Sequence, residues 1–122
     1  MSAFKIDVVA TNPKNEELST PPTEALVDTG SELTWLPAGL LKDVGIMPRG
    51  KKVFITATGE RIEREFGYAI LKAGGYETND EVVFAGKGDM ILLGVRTLEG
   101  FSVMVDNIGH RLVLQASLAA KL

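Results

Sequence analysis

The residues best placed to do chemistry in this 122-residue sequence are Asp28-Thr29-Gly30-Ser31, which follow the apolar run Ala25-Leu26-Val27. An apolar strand that ends in a carboxylate carries a cost, because a buried anion either shifts its pKa or must find donors for its oxygens. The next residues can supply them. Gly30 lets a peptide N–H come close to the carboxylate, and the Thr29 and Ser31 hydroxyls are short donors or acceptors at neighbouring positions. Asp before Thr-Gly also opens ordinary turns, so the tetrapeptide alone does not separate a reactive carboxylate from a turn residue. The other candidates are weaker. His110 lies in a turn without clustered acidic or histidine partners, and neither a ligand nor a general base is expected there. Gly86-Lys87-Gly88-Asp89 lacks the spacing and the Ser or Thr of a phosphate loop. Glu60, Glu63 and Glu65 alternate along one run and read as a solvated strand edge.

The elements that must position Asp28 are short and β-rich. Phe4 to Ala10 alternates as a strand, broken by Asn12-Pro13-Lys14-Asn15. A polar stretch with Pro21-Pro22 precedes the buried strand Glu24 to Val27, and Leu33 to Leu36 continues as another. Pro37 to Val44 predicts a short helix, with Pro in its first turn and Gly45 at its stop. Lys52 to Ala57 and Arg61 to Lys72 predict a hairpin about Thr58-Gly59-Glu60. Glu81 to Ala85 and Met90 to Leu93 are further strands separated by the Gly86 to Asp89 turn. Val95 to Glu99 predicts one helical turn stopped by Gly100, and Val103 to Asp106 and Arg111 to Leu114 flank the turn Asn107 to His110. Gln115 to Leu122 favours helix by composition but is too short to hold one alone. Ala25-Leu26-Val27 before Asp28 is echoed by Ile91-Leu92-Leu93 before Gly94, as a duplicated strand-turn unit would produce.

Composition narrows the class. With 45% apolar residues, a single domain spanning residues 1–122 is expected. The 13 basic and 16 acidic residues are spread along the chain, so no basic stripe is present to follow a phosphate backbone and no nucleic acid partner is expected. The absence of cysteine excludes disulfides, thiolate metal sites and a thiol nucleophile. Lys5 and Asp7 interrupt the stretch that a signal peptide would need, and no window approaches the ~18 apolar residues of a membrane span. A cytoplasmic protein without a membrane partner is the expectation, with the initiating Met at the start of its product.

Ala25-Leu26-Val27-Asp28-Thr29-Gly30-Ser31, followed later by Ile91-Leu92-Leu93-Gly94, resembles the paired signature of retroviral-type aspartic proteases. The stretch from Leu92 through Glu99, then Val105-Asp106 and a Gly-containing turn before Arg111-Leu112, looks still more like the small bacterial and archaeal branch of that family. The resemblance covers roughly Phe4 to Val113. It implies an all-β fold, a closed β-barrel of the retropepsin-like acid protease type with one or two short helices. It implies an aspartic endopeptidase without metal or cofactor. The second apolar-apolar-Gly segment would then support the catalytic loop from behind.

Such an enzyme needs two facing aspartates and this chain has one Asp-Thr-Gly, so the resemblance implies a homodimer with two Asp28 carboxylates sharing a proton. Water activated between them would attack a peptide or unfolded-protein substrate. Asp28, Thr29 and Gly30 are the expected catalytic residues, with the Thr29 hydroxyl bonding across the two-fold axis. Ser31, Ala57, Thr58, Gly59 and Leu92 are the expected substrate-binding residues, the Lys52 to Lys72 hairpin acting as a mobile flap. Ser31 stands where retroviral enzymes usually have Ala, and a hydroxyl donated to the outer oxygen of Asp28 would favour its ionised form and an acidic pH optimum. Val95 stands where they have Arg, leaving Arg96 as the candidate partner of Glu32. Trp35 is expected to pack beneath the loop. The rival readings are a dimeric peptide- or protein-binding module that keeps the fold without cutting, and a monomeric barrel scaffold.

Overall fold

The structure, a computed structural model, describes residues 3–117 and 119. Alternation of inward and outward side chains shapes the first strand, β1 (Lys5–Asn12), whose Val8 and Ala10 are fully buried. It pairs with β2 (Asn15–Ser19), β3 (Thr23–Val27) and, further along, β6 (Arg61–Ala73). The chain continues through β4 (Thr34–Pro37), helix α1 (Ala38–Asp43) and β5 (Gly50–Ile55), and after β6 through β7 (Tyr76–Ala85) and β8 (Leu92–Leu93). Helix α2 (Val95–Phe101) leads to a separate two-stranded sheet of β9 (Val103–Asp106) and β10 (Arg111–Leu114).

The large sheet runs β2-β1-β3-β8-β4-β7-β6-β5, and the extra β1–β6 pairing makes β1, β3, β8, β4, β7 and β6 a closed ring. Closure leaves β2 and β5 as the projecting partners of two hairpins. Inside lie Val8, Ala25, Leu36, Leu41, Leu71, Val82 and Leu93, all at most 2% exposed, with Leu98 and Phe101 of α2 against them. The expected all-β ring with two short helices is the observed architecture.

Three elements depart from the sequence-based expectation. β2 lies in the stretch read as polar connection; all five of its residues are exposed, and backbone pairing plus a 2.7 Å contact between the Thr11 and Ser19 hydroxyls hold it to β1. β7 begins at Tyr76 rather than Glu81, because the polar residues Glu77 to Asp80 pair across to β6 in a hairpin. Its turn, Gly74-Gly75, has positive φ at both residues (58° and 86°), the combination that matches strand twist in a two-residue hairpin. Helix α2 runs through Gly100 to Phe101, whose buried ring extends the apolar face by another residue, and the left-handed end falls on Ser102. Gln115 to Ser117 have no regular structure, and the rest of the C-terminal segment lies outside the described residues apart from residue 119.

Candidate active site

The strand that delivers Asp28 is held from both sides. Val27 N–H donates to the Phe4 carbonyl and Asp28 N–H to the Leu93 carbonyl, both at 3.0 Å. β8 slots between β3 and β4, parallel to β3 with Leu26 opposite Leu92 and Val27 opposite Leu93. The two apolar runs that echo each other in sequence are thus neighbouring strands, and the loop joining β3 to β4 wraps around the end of β8.

Within that loop Asp28 is half-buried, and Oδ1 accepts the Gly30 N–H at 2.9 Å. The turn is closed by Ser31 N–H donating to the Asp28 carbonyl at 3.2 Å. Thr29 is exposed. The Ser31 hydroxyl does not reach Asp28; it donates to the Leu33 carbonyl at 2.8 Å, tightening the far side of the loop. A short side chain next to a bent backbone meets the nearest carbonyl before a carboxylate three residues back, which is why this expectation fails within the chain.

Gly94 braces the loop from behind. A Cβ there would fall on the Leu33 carbonyl, so only glycine allows this approach. Beyond it, Val95 N–H donates to the Ser31 carbonyl at 2.8 Å and Arg96 N–H to the Glu32 carbonyl at 3.0 Å, so the start of α2 satisfies the loop's backbone. A buried chain of hydroxyls continues the brace: Gly94 N–H donates to Thr34 Oγ1 (3.0 Å), Thr34 and Thr97 hydroxyls meet at 2.6 Å, and Thr97 donates to Asp80 Oδ2 (3.0 Å). Thr34 and Thr97 are fully buried.

Arg96 does not pair with Glu32. Its guanidinium bonds Glu81 Oε2 at 2.6 Å and lies 3.6 Å from Asp80, because the helix turns the side chain toward β7 while the backbone faces the loop. Glu81 also takes Lys52 of β5 at 2.7 Å. The Lys52 hydrogen bond, with Arg96 adding to it, holds the Glu81 carboxyl below its ordinary value.

Opposite the loop stands the β5–β6 hairpin, whose tip runs from Thr56 to Glu60. Thr56 N–H donates to the Glu60 carbonyl, Gly59 N–H to the Thr56 carbonyl, and Glu60 N–H to the Thr56 hydroxyl, a compact tip. Arg64 of β6 forks onto Asp89 at 2.7 and 2.8 Å and fixes the hairpin's base; this contact holds the Asp89 carboxyl below its usual range. Gly86-Lys87-Gly88-Asp89 is therefore a turn that receives an arginine.

Between hairpin and loop lies a cleft of about 400 Å³, lined by Asp28, Gly30, Ser31, Ala57 and Leu92 among others. Of the residues expected in the site, Thr29, Thr58 and Gly59 are outside this lining. Glu32, Leu33, Trp35, Phe54 and Ile55 belong to it and sequence reasoning missed them as cleft residues. Trp35 packs as expected, 9% exposed, with its ring 4.9 Å from that of Phe54, yet it also forms cleft wall. Period-two alternation along β5 marks Phe54 as inward, whereas Ile55, next to it and on the exposed phase, joins the cleft only through the fold. A larger recess of about 680 Å³, lined by Tyr68, Asp80, Glu81 and Arg96 among others, shares no residue with this cleft.

Comparison with known proteins agrees with this arrangement. The family model described as "gag-polyprotein putative aspartyl protease" matches residues 17–100. The solution structure of simian foamy virus (mac) protease is similar at a TM-score of 0.52 and 21% identity, over 79% of this chain and 92% of that one. Two structures of foamy viral protease-reverse transcriptase are also similar. The one in complex with double-stranded DNA has a TM-score of 0.52 and 18% identity, over 76% of this chain. The one in complex with an RNA/DNA hybrid has 0.51 and 17%, over 96%. This chain spans only 14% and 13% of those longer proteins. A comparison with curated proteins finds no match. At these identities the structural likeness concerns the fold; the family model reaches further, since its span takes in both the Asp28 loop and the Gly94 segment that braces it, and this chain belongs to the retroviral-like aspartyl protease family.

Proposed function

We propose that the protein is an aspartic endopeptidase that works as a C2 homodimer, with the two Asp28 carboxylates facing each other across the axis. The observation that carries this reading is the state of Asp28: half-buried at the edge of a cleft, on a doubly anchored strand, with Oδ1 bonded to Gly30 N–H and Oδ2 accepting no hydrogen bond among the described residues. A carboxylate so presented is completed by a second one. Two carboxylates brought face to face share a proton. The charged member takes a proton from water as it attacks the peptide carbonyl; the protonated member hydrogen-bonds that carbonyl and then helps protonate the leaving amine. The exposed Thr29 hydroxyl is free to bond across the axis, and the hairpin acts as the cover.

The Ser31 contact offers no support for an acidic optimum, so that expectation rests on the shared proton alone. Proteolysis of a denatured protein mixture between about pH 3 and 7, with Asp28→Asn as control, tests the proposal. Cleavage should peak in the acidic range, vanish in Asp28→Asn, and fall faster than linearly on dilution as dimers part. Cleavage that survives in Asp28→Asn would sink the mechanism. No cleavage at any pH favours the binding module, a reading that the closely bonded hairpin tip and the diversion of Arg96 to Glu81 also suit.

A further inference from the structure

We propose that Glu32 makes this cleft selective for peptides that carry lysine or arginine beside an apolar residue at the cleavage point; the inference deepens the endopeptidase reading and rests on it. The wall formed by Leu33, Trp35, Phe54, Ile55 and Leu92 is apolar, and the charged groups in the lining are Asp28 and Glu32, both carboxylates. No cation balances them there. On the neighbouring hairpin and helix, Lys52 and Arg96 are committed to Glu81, Arg64 to Asp89 and Lys51 to Glu63, while Arg61, across from Ile55 in the β5–β6 register, lies outside the lining.

Glu32 is also mounted to do this. Its backbone carbonyl is fixed by Arg96 N–H at 3.0 Å, so the side chain leaves from an anchored point. The side chain is exposed and enters no hydrogen bond or ion pair among the described residues; Arg96 senses it only as a distant charge, the last and least of the causes that raise the Arg96 pKa. A carboxylate at the rim of an apolar wall attracts a cationic side chain and repels an acidic one more strongly than it would in open water. In a C2 dimer one Glu32 stands on either side of the axis, so the preference applies on both sides of the cleaved bond.

The test uses two peptides with the same apolar centre, one flanked by arginine and the other by glutamate, and the full chain as wild type, Glu32→Gln and Glu32→Lys. Exposure of Glu32 means that the variants should keep the wild-type Tm. The wild type should favour the arginine peptide in kcat/KM by about twofold to fivefold, as expected for a rim ion pair. Glu32→Gln should abolish that ratio and Glu32→Lys should reverse it, and added salt should weaken it. A ratio unchanged in both variants overturns the proposal. If neither peptide is cut, the endopeptidase reading fails, and binding of the same labelled peptides by fluorescence anisotropy decides the role of Glu32. Tighter arginine-peptide binding that Glu32→Lys reverses upholds it; equal binding, or none, overturns it.

Discussion

Asp28 and Gly94 divide the work at the level of single residues. One presents a carboxylate; the other, by lacking a side chain, lets the Leu33 carbonyl close behind it. Gly94→Ala should therefore do more than fill space. The new methyl group must push away a backbone carbonyl that also receives the Ser31 hydroxyl, and a flexible side chain is not available to yield. A loss of about 1–3 kcal/mol in urea unfolding is expected, as for overpacking elsewhere. Under the proposed mechanism the displaced loop should lower kcat more than it raises KM, since Asp28 is misplaced while most of the apolar wall remains. Wild-type stability in Gly94→Ala would mean that the loop tolerates a different position.

Between elements, the buried hydroxyl chain matters because it crosses three of them. Thr34 belongs to β4, Thr97 to α2 and Asp80 to β7, and the first of these takes the Gly94 N–H. No water reaches Thr34 or Thr97, so removing one hydroxyl leaves the others short of a partner. Thr97→Val, which keeps the shape, is expected to cost about 1–3 kcal/mol. Thr97→Ser should recover most of it. Equal guanidinium midpoints for Thr97→Val and wild type would show the chain to be energetically idle. The same helix start reaches the hairpin through Glu81, which bonds Arg96 of α2 and Lys52 of β5 together. The β5–β6 hairpin and the helix that braces the Asp28 loop thus share one carboxylate.

For the whole molecule this sharing sets a pH limit. Glu81 and Asp89 both have folded-state pKa values below their ordinary 4.5 and 3.8, chiefly through hydrogen bonds from Lys52 and from Arg64. A depressed carboxylate contributes stability that is present above its unfolded pKa and is lost as pH falls through the folded one. The Tm should therefore hold near neutrality and fall once pH drops below about 4.5, where unfolded Glu begins to take protons that the folded chain refuses. Glu81→Gln should flatten that fall in a calorimetric pH series while lowering the Tm at neutral pH. An identical slope in Glu81→Gln would place the acid sensitivity elsewhere. Under the proposed mechanism the consequence for activity is a narrow window, since a proton shared between two Asp28 groups would call for acid and the hairpin anchors call for its absence.

The sequence by itself determined what local chemistry controls. A carboxylate followed by Thr-Gly ends an apolar strand, Pro37 precedes a helix that stops near Gly45, and Thr58-Gly59-Glu60 turns a hairpin; each follows from backbone preferences within a few residues. The Ile91 to Gly94 echo was readable too, although only the fold shows why it exists, as a parallel strand beside β3. Partner choice was decided by tertiary structure alone. Ser31 faces the Leu33 carbonyl, Arg96 reaches Glu81, and polar β2 and the first half of β7 become strands through neighbours far along the chain. Hydrogen bonds and ion pairs depend on which groups lie within about 3 Å, and that distance is set by how strands register against one another rather than by any residue's own preference.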